Sequence, residues 1–223
     1  MSTDVVLEQL LTDRYSCRGF LPDLIPEDVI TRLFTLAQRS ASWCNSQAWQ
    51  VNLTSGEDTA QFAKELTAWA SAHPPAPDIA GPDRYEGVYA ERRRSAGFGL
   101  YEAVGIARDD QEGRLRQAMD NFRFFGAPHV AVISTPKALG TYGTVDCGAY
   151  VSTLLTVAQS LGLATIAQAA IAMHSSFVHK HLQIPADRDI VCAVSFGYAD
   201  NDHPANGFRT DRADIATVVE GLS

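Results

Sequence analysis

Apolar and polar positions repeat with clear periods along most of the chain, and changes of period mark its elements. From residue 3 to 13, Val5, Val6 and Leu10 fall on one side of a helical wheel, with Ser2 or Thr3 placed to cap it. A second helix opens at Pro26-Glu27-Asp28, with Pro in the first turn and acids against the dipole. Val29, Ile30, Leu33, Phe34 and Ala37 carry it to about Arg39. Residues 40–48 lose all period and form a polar loop ahead of Trp49, and Gln50–Thr54 then alternates like a strand. From Gly56-Glu57-Asp58 a helix presents Phe62, Leu66 and Trp69 on one face. It stops before Pro74-Pro75-Ala76-Pro77, where an irregular excursion runs to about Gly87.

The second half follows the same logic. Residues 87–107 predict a long helix interrupted by Gly97, Gly99 and Gly105. Each glycine is about 1 kcal/mol worse there than Ala, and each allows close approach of another backbone or a flat ligand. Asp109–Phe125 predicts a helix with Leu115, Ala118, Met119 and Phe122 inward. His129–Ser134 and Asp189–Phe196 are unbroken apolar runs suited to central strands, and Leu163–Ile166 is a shorter one. The helix over 143–161 is apolar nearly all round, so a large core or a second subunit must cover it. Ser175–Leu182 is a further helix. Residues 201–212 are polar and extended, and Ile215 to Val219 form a short apolar tail. Few strands separated by long helices predict one α+β domain over 1–223, a small sheet sandwiched by helices, with a C-terminal tail from about residue 200.

Composition narrows the partners. A net charge of -8 argues against nucleic acid. No apolar run approaches the roughly 20 residues of a membrane span, and the start, MSTDVVLEQLL, lacks a basic segment ahead of its apolar residues. A cytoplasmic protein is expected. Cys17, Cys44, Cys147 and Cys192 are far apart, as free thiols in a reducing compartment would be, and no spacing suits a metal.

Against this acidic background two arginine pairs stand out. Arg14-Tyr15-Ser16-Cys17-Arg18 sets two guanidiniums around a hydroxyl, and Arg209 and Arg212 lie in the non-helical tail. Guanidinium forks match phosphate oxygens, so the two ends of the chain are candidates for one phosphate cradle. No serine nucleophile elbow, P-loop or HExxH is present, and His174, His179 and His181 fit a partly exposed polar helix better than a metal site. A phosphate cradle without a protein nucleophile or acid–base dyad leaves the chemistry to a bound cofactor.

Four ordered motifs carry a resemblance. Arg14-x-Ser16-x-Arg18-x-Phe20, the loop Ser42–Trp49, the run Asn121–Pro128, and Gly197-Tyr198 followed by Asn206-Gly207-Phe208-Arg209-Thr210-Asp211-Arg212 resemble FMN-dependent nitroreductases over essentially the whole chain. The resemblance implies an intertwined α+β homodimer with a mostly antiparallel sheet, swapped terminal segments and two FMN sites at its interface. It further implies NADH or NADPH as reductant in a ping-pong reaction, and a small aromatic acceptor such as a nitroarene. Carried over by position, Arg14, Tyr15, Ser16 and Arg18 hold the FMN phosphate and part of the flavin, with Arg209 and Arg212 reaching the same phosphate. Ser42, Asn45 and Gln47 come from the partner subunit to the ribityl chain and ring edge, and Gln168, Ala169 and Ala170 line the ring. Trp43, Tyr89, Phe98, Tyr101 and Phe124 are candidate stacking surface for the acceptor. Two positions depart from the family pattern: Ala169 stands where Gly is common, and Ala48 where Pro is usual. Reductive dehalogenation, oxidation of an organic substrate and a flavin-binding module without turnover remain alternative readings.

Overall fold

The unbroken apolar runs become the centre of the molecule. In the computed structural model, which describes residues 2–221, β2 (His129–Pro136) and β4 (Arg188–Gly197) pair antiparallel in the middle of a four-stranded sheet. β1 (Gln50–Ser55) flanks β2 and β3 (Ala164–Gln168) flanks β4, both antiparallel, giving the order β1-β2-β4-β3. Alternation along β2 then sorts side chains by face. Val130 and Val132 join one core with Phe62, Leu66, Ile171 and Val178. Ala131 and Ile133 join another with Leu33, Cys147, Tyr150 and Leu154. Each fully buried Leu, Ile or Phe contributes about 1.5–3 kcal/mol, so the sheet holds both layers.

The helices that supply those layers are α3 (Glu57–Ala72), α7 (Ala169–Ala172) and α8 (Ser175–Leu182) on one face, and α2 (Glu27–Ala37) and α6 (Gly140–Ser160) on the other. The α+β sandwich expected from the sequence is therefore present. α6 buries Gly143, Asp146, Cys147, Tyr150, Leu154 and Ala158 at helical spacing. Its opposite side leaves Tyr142 and Val145 exposed. The N-terminal helix α1 (Thr3–Asp13) has no buried residue, and Val5, Val6 and Leu11 face outward. Among the described residues no helix is long and apolar enough to cross a membrane.

The excursion before α4 (Gly87–Ala103) is tied down at its base by Asp78. The Asp78 carboxylate accepts from Ile190 N at 2.9 Å and lies 2.8 Å from His179 Nε2, while Asp78 N donates to Ser175 Oγ at 3.1 Å. Gly99 explains part of the glycine pattern in α4: a Cβ there would overlap the Phe208 ring of the tail.

Three expectations fail after α4. The helix expected over Asp109–Phe125 splits into α5 (Gln111–Met119) and a 3₁₀ turn over Asp120–Gly126. Phe124 and Phe125 sit there at φ of 56° and 53°, because both rings are drawn into the core. Phe124 packs against Phe62 with ring centroids 5.0 Å apart and no exposed surface. It is thus a core residue, which corrects its expected place as acceptor-stacking surface. Leu115, expected inward, is exposed, since α5 buries only Gly113, packed on the Asp110 carboxylate that caps the helix.

Candidate functional site

β3 gives the Arg14–Arg18 stretch its course. Ser16 pairs with Thr165 in a parallel bridge, and Cys17 N donates to Thr165 O at 2.9 Å. The chain then runs beside the segment following β4: Leu21 N donates to Tyr198 O at 2.9 Å and Asp200 N to Gly19 O at 3.0 Å. Gly19 lies so close to the His203 ring that a Cβ would collide with it. Asn206 closes the joint. Its Oδ1 accepts from Arg18 N at 2.8 Å, and its Nδ2 donates to Gly19 O and Asp200 O, each at 2.8 Å. One buried amide thereby joins residues 188 positions apart.

That joint brings the two arginine pairs together. Arg209 lies flat over Tyr15, its guanidinium carbon 3.6 Å from the ring centroid. Such stacking orients the fork, whose Nη1 donates to Asn206 O at 2.6 Å and to Phe208 O at 3.0 Å, and leaves its other N–H groups available. Arg14 is held below the usual arginine pKa by burial first and then by the charge of Arg212, so those two guanidiniums share one field. Burial also lowers the pKa of Arg18. Among the described residues none of Arg14, Arg18, Arg209 and Arg212 lies within ion-pair distance of a carboxylate, whereas Arg84, Arg116 and Arg123 each do. An open hollow of about 750 Å³ between α4 and the tail is walled by Ser95, Gly99, Phe208, Arg209 and Arg212. Uncompensated guanidiniums beside open space are what a phosphate or another compact anion requires.

The polar loop builds a separate place. Asp146, buried on α6, accepts from Trp43 N at 3.0 Å and from Ser46 Oγ at 2.8 Å. Ser42 Oγ accepts from Gln47 N at 2.9 Å, and Gln38 Nε2 donates to Gln47 Oε1 at 2.8 Å. These bonds hold Cys44, Asn45 and Gln47 at φ of 50°, 55° and 48°, a region disfavoured for Cys and Gln that persists only where the surroundings impose it. Asn45 and Gln47 rim a hollow of about 720 Å³ that shares no lining residue with the one at the tail. Among the described residues of one chain, no hydrogen bond joins Ser42, Asn45 or Gln47 to Arg14, Arg18, Arg209 or Arg212.

The remaining candidates divide. Gln168 is buried: its Nε2 donates to Asn121 O at 2.9 Å and its Oε1 accepts from Ser195 Oγ. Its side chain ties β3 to the 120–126 turn, leaving Ala169 exposed and Ala170 half-buried at the open end of the strand. Trp43 is exposed, edge-on to Tyr142 with centroids 3.9 Å apart. Tyr89 is exposed on α4. Phe98 and Tyr101 line a third hollow, on the face of α4 opposite the tail.

Asn206 and Asp146 are the positions that sequence reasoning missed. Asn206 stands inside the motif that supplied Arg209 and Arg212, so an amide next to the cradle was the available signal. Asp146 was an acid in an otherwise apolar helix, a pattern that calls for a buried partner.

The profile of the nitroreductase family matches residues 11–198. The chain is 33% identical to nitroreductase NfnB of Mycolicibacterium smegmatis over 213 residues, covering 95% of this chain and 91% of that protein. It is 32% identical to a 4-nitrobenzoate reductase of Pseudomonas putida, covering 92% and 90%. The crystal structure of the FMN-dependent nitroreductase NfnB from Mycobacterium smegmatis in complex with NADPH superposes with a TM-score of 0.95 at 30% identity, covering all of both chains. With the motifs and the sheet order in place, the chain belongs to the nitroreductase family.

Proposed function

We propose that the protein is an FMN-dependent oxidoreductase that uses NADPH or NADH to reduce nitroaromatic compounds. The convergence of Arg14, Arg18, Arg209 and Arg212 without a carboxylate partner carries this reading, because it fits the terminal phosphate of FMN in charge and in donor geometry. The two closest-fitting alternatives for such a cradle, a free phosphate sensor and a non-catalytic flavin store, lack the support of the relatives named for nitro reduction.

Each residue then has a task. The four guanidiniums hold the phosphate, and Asn206 fixes the two strands of chain that carry them. The backbone N–H groups at Ala169 and Ala170 stand at the open end of β3, where they serve as donors to the ring edge. Ser42, Asn45 and Gln47 reach the ribityl chain from a second copy of the chain. Two observations support a homodimer: one protomer keeps the loop and the cradle apart, and α1 and α6 expose Val5, Val6, Leu11, Tyr142 and Val145. Bound FMN supplies two-electron redox chemistry, by which a nitro group takes up two electrons and two protons and leaves as nitroso plus water. The protein contributes position, exclusion of solvent and compensating charge.

The test is an anaerobic titration of the purified protein with NADPH and NADH, followed by a nitroarene. Loss of the flavin band near about 450 nm on adding nicotinamide, and its return on adding nitroarene with one equivalent consumed per flavin, is expected. A colourless protein, or a flavin that nicotinamide does not bleach, overturns the reading.

A further inference from the structure

α4 separates two hollows, and the one away from the tail has a composition that phosphate cradling does not account for. It measures about 750 Å³ and is walled by Tyr85, Arg93, Arg94, Phe98, Tyr101 and Arg114, with Asp83 as its only acid. Arg84 also borders it, but that charge is matched by Glu86 at 2.8 Å. Arg93, Arg94 and Arg114 have no carboxylate within ion-pair distance among the described residues, although Arg116, two positions on, has two. In a chain of net charge -8, three such cations at one hollow are not a by-product of composition.

Their geometry is that of a prepared site. The Arg114 guanidinium lies 5.6 Å from the Phe98 ring and 5.5 Å from Tyr101, and Arg93 lies 5.4 Å from Tyr85. Stacked guanidiniums lose less freedom when an anion binds their edge. Arg114 Nε is buried without a hydrogen-bond partner, and a buried donor left unmade is costly. Gly97 lies in the wall with open space where a side chain would stand, which leaves room for a flat group.

We propose that this hollow receives the anionic end of an aromatic reactant. Arg93, Arg94 and Arg114 hold its phosphate or carboxylate, and Phe98 and Tyr101 lie against the ring that carries the charge. The inference rests on the reading above for which reactants exist. Two of them have this chemistry: the 2′-phosphoadenosine half of NADPH, and an acceptor bearing an aryl carboxylate. Charge recognition here would make the site the one that selects between phosphorylated and unphosphorylated nicotinamide, or between acidic and neutral nitroarenes.

The test compares charged and uncharged members of each pair on the flavin-loaded enzyme. KM is measured for NADPH against NADH, and for 4-nitrobenzoate against 4-nitrobenzamide, in the wild type, Arg93→Gln, Arg94→Gln and Arg114→Gln. Arg32→Gln on the exposed side of α2 controls for loss of one positive charge. Losing one charge-assisted hydrogen-bonding group is expected to worsen the charged-to-uncharged KM ratio about tenfold in one pair only. A change confined to the nicotinamide pair assigns the phosphate, and a change confined to the nitroarene pair assigns the carboxylate. Ratios that stay at the wild-type value in all three variants, or that move equally in Arg32→Gln, overturn the proposal. Calorimetric titration with 2′,5′-ADP against 5′-AMP, and with benzoate against benzamide, reads the hollow without turnover. If the protein proves to hold no flavin, the function fails while this titration still decides the hollow: tighter binding of a charged probe, weakened in Arg114→Gln, supports it, and equal binding of charged and uncharged probes overturns it.

Discussion

Along β2, seven of eight residues are buried and two of the polar ones are bonded from within: His129 to Ile25 and Ser55, Ser134 to Arg188. Along α4, seventeen residues long, none is buried, and its arginines face hollows. The two regions treat polar groups in opposite ways. The sheet region bonds most of them internally, with Thr135 Oγ1 and Asn52 Oδ1 as exceptions, and so fixes positions. The layer of α4 and tail leaves cationic groups uncompensated and so depends on something else to complete it. Local stability follows the same division, since a helix without buried contacts opens more readily than a central strand. A protein that must admit a cofactor and two successive reactants benefits from that arrangement. The frame stays fixed while the layer with the open cationic hollows remains easier to move.

Asn206 belongs to both regions, and its removal should break the division. Asn206→Ala deletes three hydrogen bonds at a buried site and strands Arg18 N, while Gly19 O and Asp200 O keep Asp200 N and His203 N as donors. A loss of about 3 kcal/mol in stability is expected from unmade buried bonds, with flavin retention falling alongside. Urea unfolding of the loaded protein measures it. A loss under about 1 kcal/mol would mean that the chain ends are held together by other contacts.

Arg209→Ala should do the reverse. Arg209 is exposed and stacked on Tyr15, so stability should change by no more than about 0.5 kcal/mol while FMN affinity falls about 10- to 100-fold, or about 2 kcal/mol. Flavin fluorescence on dilution gives the affinity, and thermal melting of the flavin-free form gives the stability. Unchanged FMN retention together with a lower melting temperature would turn Arg209 into a structural residue and remove the distinction drawn here.

What could be read beforehand has a physical pattern. Strands β2 and β4, the helices α1, α2 and α3 and the stop at Pro74 were legible, because each is set by period, capping or a backbone breaker within a few residues. The two arginine pairs were legible as chemistry, and their meeting was a sound expectation because guanidiniums of this kind need an anion. The loop-to-α6 clamp was not, since Trp43 and Asp146 are 103 positions apart and only the fold relates them. Nor was the 120–126 turn: helical propensity favoured continuing α5, and burial of Phe124 and Phe125 at positive φ overrode it. The outward position of Leu115 has the same origin, since that helix packs through a glycine.

Asp146→Ala sharpens the comparison on the loop side. The clamp imposes left-handed backbone on Cys44 and Gln47, so its loss should relax the loop at about 1–2 kcal/mol of stability. FMN affinity should weaken only several-fold, because the phosphate cradle stays intact. Urea unfolding and flavin titration on the same samples separate the two. An FMN loss as large as that of Arg209→Ala would show that the loop, and not the cradle, dominates retention.

The smallest effect concerns the frame and acid. His129 is buried, with Nε2 accepting from Ile25 N at 3.0 Å and Nδ1 2.9 Å from Ser55 Oγ. Burial lowers its pKa below the usual histidine value, because a protonated ring would lose the Ile25 bond and its charge would lie among Phe196 and the sheet. The unfolded chain therefore takes up a proton at a higher pH than the native one. Stability is fully present above the unfolded value of about 6.5 and is lost as pH falls from there toward the folded pKa, with a slope of at most about 1.4 kcal/mol per pH unit for one group. His174, lowered by burial and then by His73, acts with the same sign. In His129→Gln the stability at neutral pH drops, but the decline between pH 7 and pH 5 should be shallower than in the wild type. Parallel pH profiles for the two proteins would show that the acid sensitivity arises at other groups, His174 among them.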